Sequence, residues 1–324
     1  MPVANNTATR FLRNVIAPLC VSIVVVEIVG ALLKLPQNGV QTQHLSGSYQ
    51  HDQIMGWTHK PGTYQYADTS DEPARTFQVT YQENGARFSG QSPSPAQRFI
   101  GLLGCSFIEG FGLDDTDTLG AQLQKRLPSY SVENFGVAGY GTYQSLLTFR
   151  RLANRYAQKH NSVVIYGFAG FHNDRNIKST LFQRTSEPNA VFPVCDENHC
   201  FYWQGKRMNG MWRMSRILSL VENALDTIRA RVKAKYAEAV TKRLLRILKN
   251  ETDAQGIRLV IAPMTAVDGS FGAFFSENAF EVAPCFLPEF NSNTYRLSDG
   301  HPNAHWNKLY SECLRDFISN KTNK

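Results

Sequence analysis

A serine, a histidine and an aspartate stand in this sequence where nucleophilic catalysis would need them. Ser106 belongs to a Gly-Cys-Ser-Phe block at 104–107, directly after a short apolar run that predicts a strand. A hydroxyl at a tight strand-to-helix turn points over the sheet edge, and the start of the helix favours negative charge there. Asp299 and His301 stand in an Asp-Gly-His-Pro-Asn block at 299–303. Histidine can activate a serine as general base, and an acid can fix its tautomer.

Two further blocks could stabilise an oxyanion. In the Asn-Phe-Gly-Val-Ala-Gly block at 134–139, Gly139 lets a bare backbone N–H approach a substrate oxygen, because glycine has no side chain in the way. In the His-Asn-Asp block at 172–174, the side chain of Asn173 could donate to the same oxygen. Both blocks follow predicted strands, as the serine block does.

Strands that alternate with helices position these blocks. The predicted strands lie at 99–103, 131–137, 162–168 and 257–262, and the predicted helices at 118–127, 142–156, 211–250 and 303–318. Such alternation predicts a parallel sheet covered on both faces, in which ligands bind at the carboxyl ends of the strands. The three polar blocks would then meet at one edge of the sheet.

The order and spacing of the four blocks resemble the SGNH hydrolases, the GDSL-type esterase superfamily, over residues 98–318. The resemblance implies an α/β fold: a flavodoxin-like, three-layer α/β/α sandwich with a parallel five-stranded sheet. It implies Ser106 as nucleophile, His301 as base and Asp299 as the acid that orients it. It also implies an oxyanion hole formed by the backbone N–H groups of Ser106 and Gly139 and the side chain of Asn173, with no cofactor and no metal.

The sequence departs from the family pattern at three positions. Cys105 stands where the family has an aspartate that supports the loop, so we expect activity to survive. The acid is two residues before His301 rather than three, and Phe171 replaces a glycine two residues before Asn173. These departures keep two alternatives open: Cys105 as the nucleophile, and a non-catalytic binding module on the same fold.

The N-terminal segment predicts a membrane anchor. Residues 15–33 include twelve large aliphatic side chains, and about 20 such residues cross a hydrocarbon core of roughly 30 Å. Arg10 and Arg13 precede the segment, so we expect a single-pass protein of the inner (cytoplasmic) membrane, with residues 1–13 cytoplasmic, 14–34 spanning and the remainder periplasmic. A signal peptide cleaved near the Val-Gly-Ala run at 29–31 is the alternative.

After the anchor we expect a linker and β-rich lead-in at 35–97 and a catalytic domain at 98–324 with an insertion at about 175–210. Within the insertion, Cys195 and Cys200 separate two β-like runs and predict a disulfide-pinned hairpin, with two free thiols as the alternative. Aromatic residues concentrate in or beside it and favour either a cap over the site or packing on the domain; they are Phe192, Phe201, Tyr202, Trp203 and Trp212. Cys313 lies in an apolar helical stripe and is expected to be a plain core residue.

Charge and composition limit the substrate. The chain of 324 residues carries a formal charge of +7, and residues 206–249 hold twelve Lys or Arg against three acidic residues. This basic region is either a solvated helix face or a surface for acidic glycans and anionic headgroups. No nucleic-acid motif accompanies it. Three acidic residues at 114, 115 and 117 lack the spacing of a calcium loop.

We therefore expect a serine esterase that removes acyl groups, acetyl foremost, from a cell-envelope glycan or lipid through an acyl-enzyme. An O-acetyltransferase is the alternative, and it would require a multi-span partner to supply the acyl group. The expected partners are the acylated substrate and the membrane, with no nucleic acid.

Overall fold

The computed structural model describes residues 10–33, 47–68, 75–91, 98–157, 161–177, 191–195, 200–204 and 215–322. The chain forms two compact units, one of residues 1–41 with 206–233 and one of residues 42–205 with 234–324. In chain order the described strands are β1 (Tyr49–Asp52), β2 (Gly56–His59), β3 (Gly62–Asp68), β4 (Arg75–Tyr81), β5 (Arg98–Gly104), β6 (Tyr130–Gly136), β7 (Val163–Phe168), β8 (Val191–Cys195), β9 (Cys200–Gln204), β10 (Arg258–Pro263) and β11 (Glu281–Val282). The described α-helices are α1 (Ala17–Leu32), α2 (Ser106–Glu109), α3 (Leu119–Arg126), α4 (Thr142–Ala157), α5 (His172–Arg175), α6 (Arg216–Ala254), α7 (Gly269–Glu277) and α8 (Ala304–Thr322).

A parallel five-stranded sheet forms the centre of the larger unit, in the order β11-β10-β7-β5-β6. Every residue of β6 and β7 is buried, because helices cover both faces. The predicted fold class, a three-layer α/β/α sandwich, is confirmed. The four strands located from sequence agree with β5, β6, β7 and β10 to within about one residue at each end. The fifth strand, β11, has two residues and was not located, since so short a run carries no alternation to detect.

Two apolar clusters fill the layers on either side of the sheet. The first joins α4, α7 and the second half of α6, and includes Tyr143, Leu244 and Phe271. The second joins α3 and α8, and includes Leu123 and Trp306. Alternate residues of β5 feed the two clusters, as expected for a strand buried on both faces.

The lead-in forms two antiparallel hairpins, β1-β2 and β3-β4. Strand β4 pairs over seven residues with β3, which precedes it. The turn at Asn84 and Gly85 then brings Arg87 into a bridge with Tyr81. Two of the acidic residues considered above fix this lead-in to the domain. Asp114 accepts the backbone N–H of Gln78 at 2.8 Å, and Asp115 accepts that of Thr80 at 2.9 Å.

Two disulfides are present among the described residues. Cys195 and Cys200 face each other across the β8-β9 hairpin and are bonded. The prediction that Cys313 is a plain core residue is wrong, because it is bonded to Cys285 in the loop after β11. Its helical stripe gave no sign of a partner 28 positions earlier in the chain.

Among its described residues, the smaller unit contains one helix that is long and apolar enough to cross a membrane. It covers Arg13–Leu32, with a mean hydropathy of 2.6, and begins with a π-helical turn at Leu12–Ile16.

Candidate active site

Ser106 begins α2 at the point where β5 ends, and two glycines allow this turn. Gly104 has φ +155°, and a Cβ there would lie 2.6 Å from Cγ1 of Ile108. A Cβ on Gly136 of the neighbouring strand would lie 2.3 Å from the backbone nitrogen of Glu109. Only glycine permits such close approach, so the serine turn packs directly against the end of β6.

The loop before α8 places an imidazole on the serine. Nε2 of His301 lies 2.9 Å from Oγ of Ser106, although the residues are 195 positions apart. Ser106 is buried with 5% of its surface exposed, so its hydroxyl faces the imidazole rather than bulk water. This is the contact through which a histidine removes the proton of a serine.

Asp299 approaches the other ring nitrogen through a tight turn. Its Oδ2 lies 2.9 Å from Nδ1 of His301, while its Oδ1 accepts the backbone N–H of His301 at 3.0 Å. Gly300 makes the turn with φ +88°, and its N–H donates to the carbonyl of Leu297 at 2.9 Å. Because the acid is only two residues away, its approach to Nδ1 is close but lies off the N–H axis. Approaches of this kind often straighten when substrate binds.

Aromatic rings fix the plane of the imidazole. The ring of His301 lies 4.9 Å from Phe111 and 5.5 Å from Phe107, centroid to centroid. Phe107 in turn contacts Phe171 and Phe290 at 5.6 and 5.8 Å. The base is therefore held by packing as well as by its hydrogen bonds.

Electrostatics keep the acid ionised. Burial opposes ionisation of Asp299, but the nearby imidazole of His301 and the hydrogen bond from the backbone N–H of His301 outweigh that and lower the pKa of the carboxyl. The neighbouring His172 is fully buried, and burial, with Arg175 nearby, holds its pKa well below the ordinary value. His172 Nδ1 lies 2.7 Å from the hydroxyl of Tyr166, so this second histidine belongs to the core.

The two loops expected to form the oxyanion hole lie beside the serine turn. The N–H of Val137 donates to the carbonyl of Gly104 at 3.1 Å, which brings the turn containing Gly139 to that edge of the sheet. Asn173 lies in α5, whose preceding residue Phe171 contacts Phe107. Neither Gly139 nor Asn173 hydrogen-bonds to Ser106 within the described ranges, so their roles stay predictions.

Sequence reasoning missed a buried carboxylate under the nucleophile. Glu109, at the end of α2, is fully buried, and its Oε1 lies 2.6 Å from the hydroxyl of Tyr81, 3.1 Å from that of Tyr49 and 3.2 Å from Nε2 of His59. Burial opposes its ionisation, but the charge of His59 and hydrogen bonds from His59 and Tyr81 lower the pKa of Glu109. Arg87 adds a bond to the backbone carbonyl of Glu109 at 3.0 Å. All four partners come from the lead-in, which therefore supports the nucleophile helix.

Cys105, the alternative nucleophile, is fully buried in the core behind the serine turn and faces away from solvent. Of the insertion aromatics, Phe192 is buried in the main core, which favours packing for that residue, and Trp212 lies outside the described residues. No group of metal-binding side chains occurs in the part of the chain that the structure describes.

No protein-family model and no curated protein matches the chain. Solved structures similar to it include TesA, with a TM-score of 0.44 and 15% identity over 69% of this chain and 99% of that one. A member of the lipolytic G-D-S-L family from Veillonella parvula gives 0.41 and 10% over 67% and 96%. A GDSL-like lipase from Bacteroides thetaiotaomicron gives 0.40 and 12% over 72% and 92%.

Proposed function

We propose that this protein is a serine esterase of the SGNH type that works through an acyl-enzyme. The observation that carries the proposal is the 2.9 Å contact between Ser106 Oγ and His301 Nε2, with Asp299 Oδ2 2.9 Å from the opposite ring nitrogen. A hydroxyl, a base and an acid in this order are what acyl transfer requires.

The reaction follows from the contacts. Ser106 Oγ attacks the ester carbonyl while its proton passes to His301 Nε2, and the new C–O bond produces a tetrahedral oxyanion. The oxyanion collapses, the leaving alcohol takes the proton from Nε2, and the acyl group stays on Ser106. Water, deprotonated by the same nitrogen, then attacks the acyl carbon. The bond between that carbon and Ser106 Oγ breaks, Oγ takes the proton from Nε2, and the acid is released. Asp299 stays ionised and stabilises the imidazolium in both halves.

The oxyanion is assigned to the backbone N–H groups of Ser106 and Gly139 and to the side chain of Asn173. The N–H of Ser106 lies in the first turn of α2, where donors are free of intrahelical partners. The buried Oδ1 of Asn173 has no hydrogen-bond partner among the described residues, so its amide group is not fixed by that atom and can turn toward a substrate.

For the substrate we propose an acyl ester, acetyl foremost, on a cell-envelope glycan or lipid. The apolar helix Arg13–Leu32 supports attachment to the inner membrane, with the catalytic unit on the periplasmic side. Disulfides Cys195–Cys200 and Cys285–Cys313 support an oxidising compartment for that unit.

Hydrolysis of a short-chain nitrophenyl ester by the full chain tests the proposal. Ser106→Ala should lower kcat by at least about 10³-fold, because a triad acts as a unit. The neighbouring Cys105→Ala is the matched control and should keep activity, since the thiol is buried behind the turn. Equal, slow release by wild type and Ser106→Ala would refute catalysis by this serine, and loss in Cys105→Ala alone would assign it to the thiol.

A further inference from the structure

Helix α6 runs through both units and carries exposed apolar residues in its first half. In its second half Val240, Leu244 and Leu248 are buried in the core of the larger unit. In its first half Leu225, Ile228 and Val232 follow one another at helical spacing, with exposed fractions of 43, 78 and 74%. The first group, here named the outer stripe (Leu225, Ile228 and Val232), belongs to the smaller unit and is not buried.

The first residue of α6 and the residue before it are hydrogen-bonded to the apolar helix α1. The carboxylate of Glu27 accepts a hydrogen bond from Oγ of Ser215 at 2.5 Å and another from the backbone N–H of Arg216 at 2.9 Å. Glu27 is half-buried and Gly30, one turn later on the same face, is buried, whereas the described side chains around them are exposed. The two helices are thus in contact at this face of α1.

That contact sets the depth at which α6 begins. Glu27 lies five residues before the end of the apolar span Arg13–Leu32, which is roughly 8 Å along the helix axis. If α1 crosses a bilayer, Ser215 and the first turn of α6 lie near the boundary between acyl chains and headgroups. The outer stripe then begins within roughly 15 Å of that boundary, measured along α6.

The charge of α6 favours a lipid surface over a second copy of this chain as the partner that covers the outer stripe. The first half of α6 and the residues just after it carry five basic residues, against Glu222 and Asp226; the basic residues are Arg216, Arg229, Arg231, Lys233 and Lys235. Pairing two such helices would bring like charges together, whereas anionic headgroups would neutralise them. An apolar face with basic flanks is the pattern of helices that lie in a membrane interface.

We propose that residues 216–233 of α6 lie along the bilayer in which α1 is embedded, with the outer stripe among the acyl chains and the basic residues on anionic phospholipid headgroups. This rests on the proposed membrane attachment of α1 and not on the esterase chemistry. It gives the protein a second attachment to the bilayer besides the span itself, and it gives the isolated acidic residue of α1 a structural purpose.

Fluorescence quenching by lipids that carry a nitroxide on the acyl chain tests the proposal. The full chain is reconstituted into vesicles of phosphatidylcholine and phosphatidylglycerol, with one thiol-linked fluorophore per molecule. The label is placed on native Cys20 in α1 or, in a Cys20→Ser background, on Ile228→Cys or Val232→Cys. Ala234→Cys is the matched control, because Ala234 is exposed and points about 160° away from Val232, and the buried Cys105 is left unchanged.

Quenching at Ile228→Cys and Val232→Cys should reach at least half of that at Cys20, with little at Ala234→Cys. In vesicles of phosphatidylcholine alone, quenching at Ile228→Cys should fall at least twofold while that at Cys20 is unchanged. Strong quenching at Cys20 with none at the outer stripe would overturn this inference alone. Self-quenching at Ile228→Cys that disappears on dilution with unlabelled protein would assign the stripe to a second copy and also overturn it.

The same experiments test the membrane attachment of α1 and the esterase activity separately from this inference. No quenching at Cys20 would refute the membrane attachment of α1 and, with it, the inference. Nitrophenyl ester hydrolysis, measured on every labelled variant, reports the catalytic proposal independently and shows that each variant is folded.

Discussion

Removing the disulfide between Cys285 and Cys313 should destabilise the larger unit more than removing the other one. The bond closes a loop with a separation of 28 positions that contains both Asp299 and His301. In the chain-entropy description, a loop of this length contributes about 3.5 kcal/mol to the free energy of unfolding at 25 °C. The Cys195–Cys200 loop, with a separation of five, contributes about 2 kcal/mol in the same description.

The two double variants, each with both cysteines changed to alanine, form a matched pair. Urea unfolding of the full chain in non-ionic detergent, followed by tryptophan fluorescence, to which buried Trp57 and Trp306 contribute, gives both free energies. The Cys285→Ala/Cys313→Ala variant should lose about 1.5 kcal/mol more than its counterpart. Its kcat/KM should also fall roughly tenfold to a hundredfold, because the loop that aims the imidazole is no longer tied at both ends. Equal losses of stability with unchanged kcat/KM would refute this reasoning.

Three further outcomes are expected. Glu109→Gln should lower the free energy of unfolding by about 2–3 kcal/mol and reduce kcat without raising KM, because the buried carboxylate that holds the nucleophile helix loses its charge. Urea unfolding and steady-state kinetics measure these effects, and an unchanged kcat would contradict the expectation. Asn173→Ala should lower kcat about 10²–10³-fold with little change in KM, and a loss below about threefold would remove it from the oxyanion hole. Because the folded pKa of His172 is depressed, the unfolded chain binds the extra proton and stability falls as pH drops below about 6.5. Unfolding of His172→Gln between pH 6.5 and 5 should therefore show a shallower loss than wild type, by up to about 1.4 kcal/mol per pH unit, and equal slopes would contradict a neutral buried histidine.

The sequence was informative where function requires particular residue types at particular places. The turn at Ser106 needs glycine before it, and the turn at His301 needs Gly300, so both left visible blocks. The strands β5, β6, β7 and β10 are buried on both faces and therefore read as short continuous apolar runs. Local patterns of this kind can be detected without knowing what lies opposite them in space.

Long-range pairings left no such trace. Glu109 looks like an ordinary acidic residue shortly after the serine, and only folding reveals that Tyr49, His59 and Tyr81 converge on it. Cys313 fits an apolar stripe equally well as a thiol or as half of a disulfide. The exposed apolar residues in the first half of α6 also escaped notice, because the whole segment is helical in composition and a local pattern does not show which residues find a packing partner.

Covalent labelling with a serine-reactive organophosphonate tests the central claim most directly. The reagent forms a bond to Oγ only if a base removes the proton, and peptide mass spectrometry locates the adduct. We predict one adduct, on Ser106, whose rate of formation falls at least about 10³-fold in His301→Ala. An adduct on Cys105, or labelling of Ser106 at the same rate without the imidazole, would contradict the account.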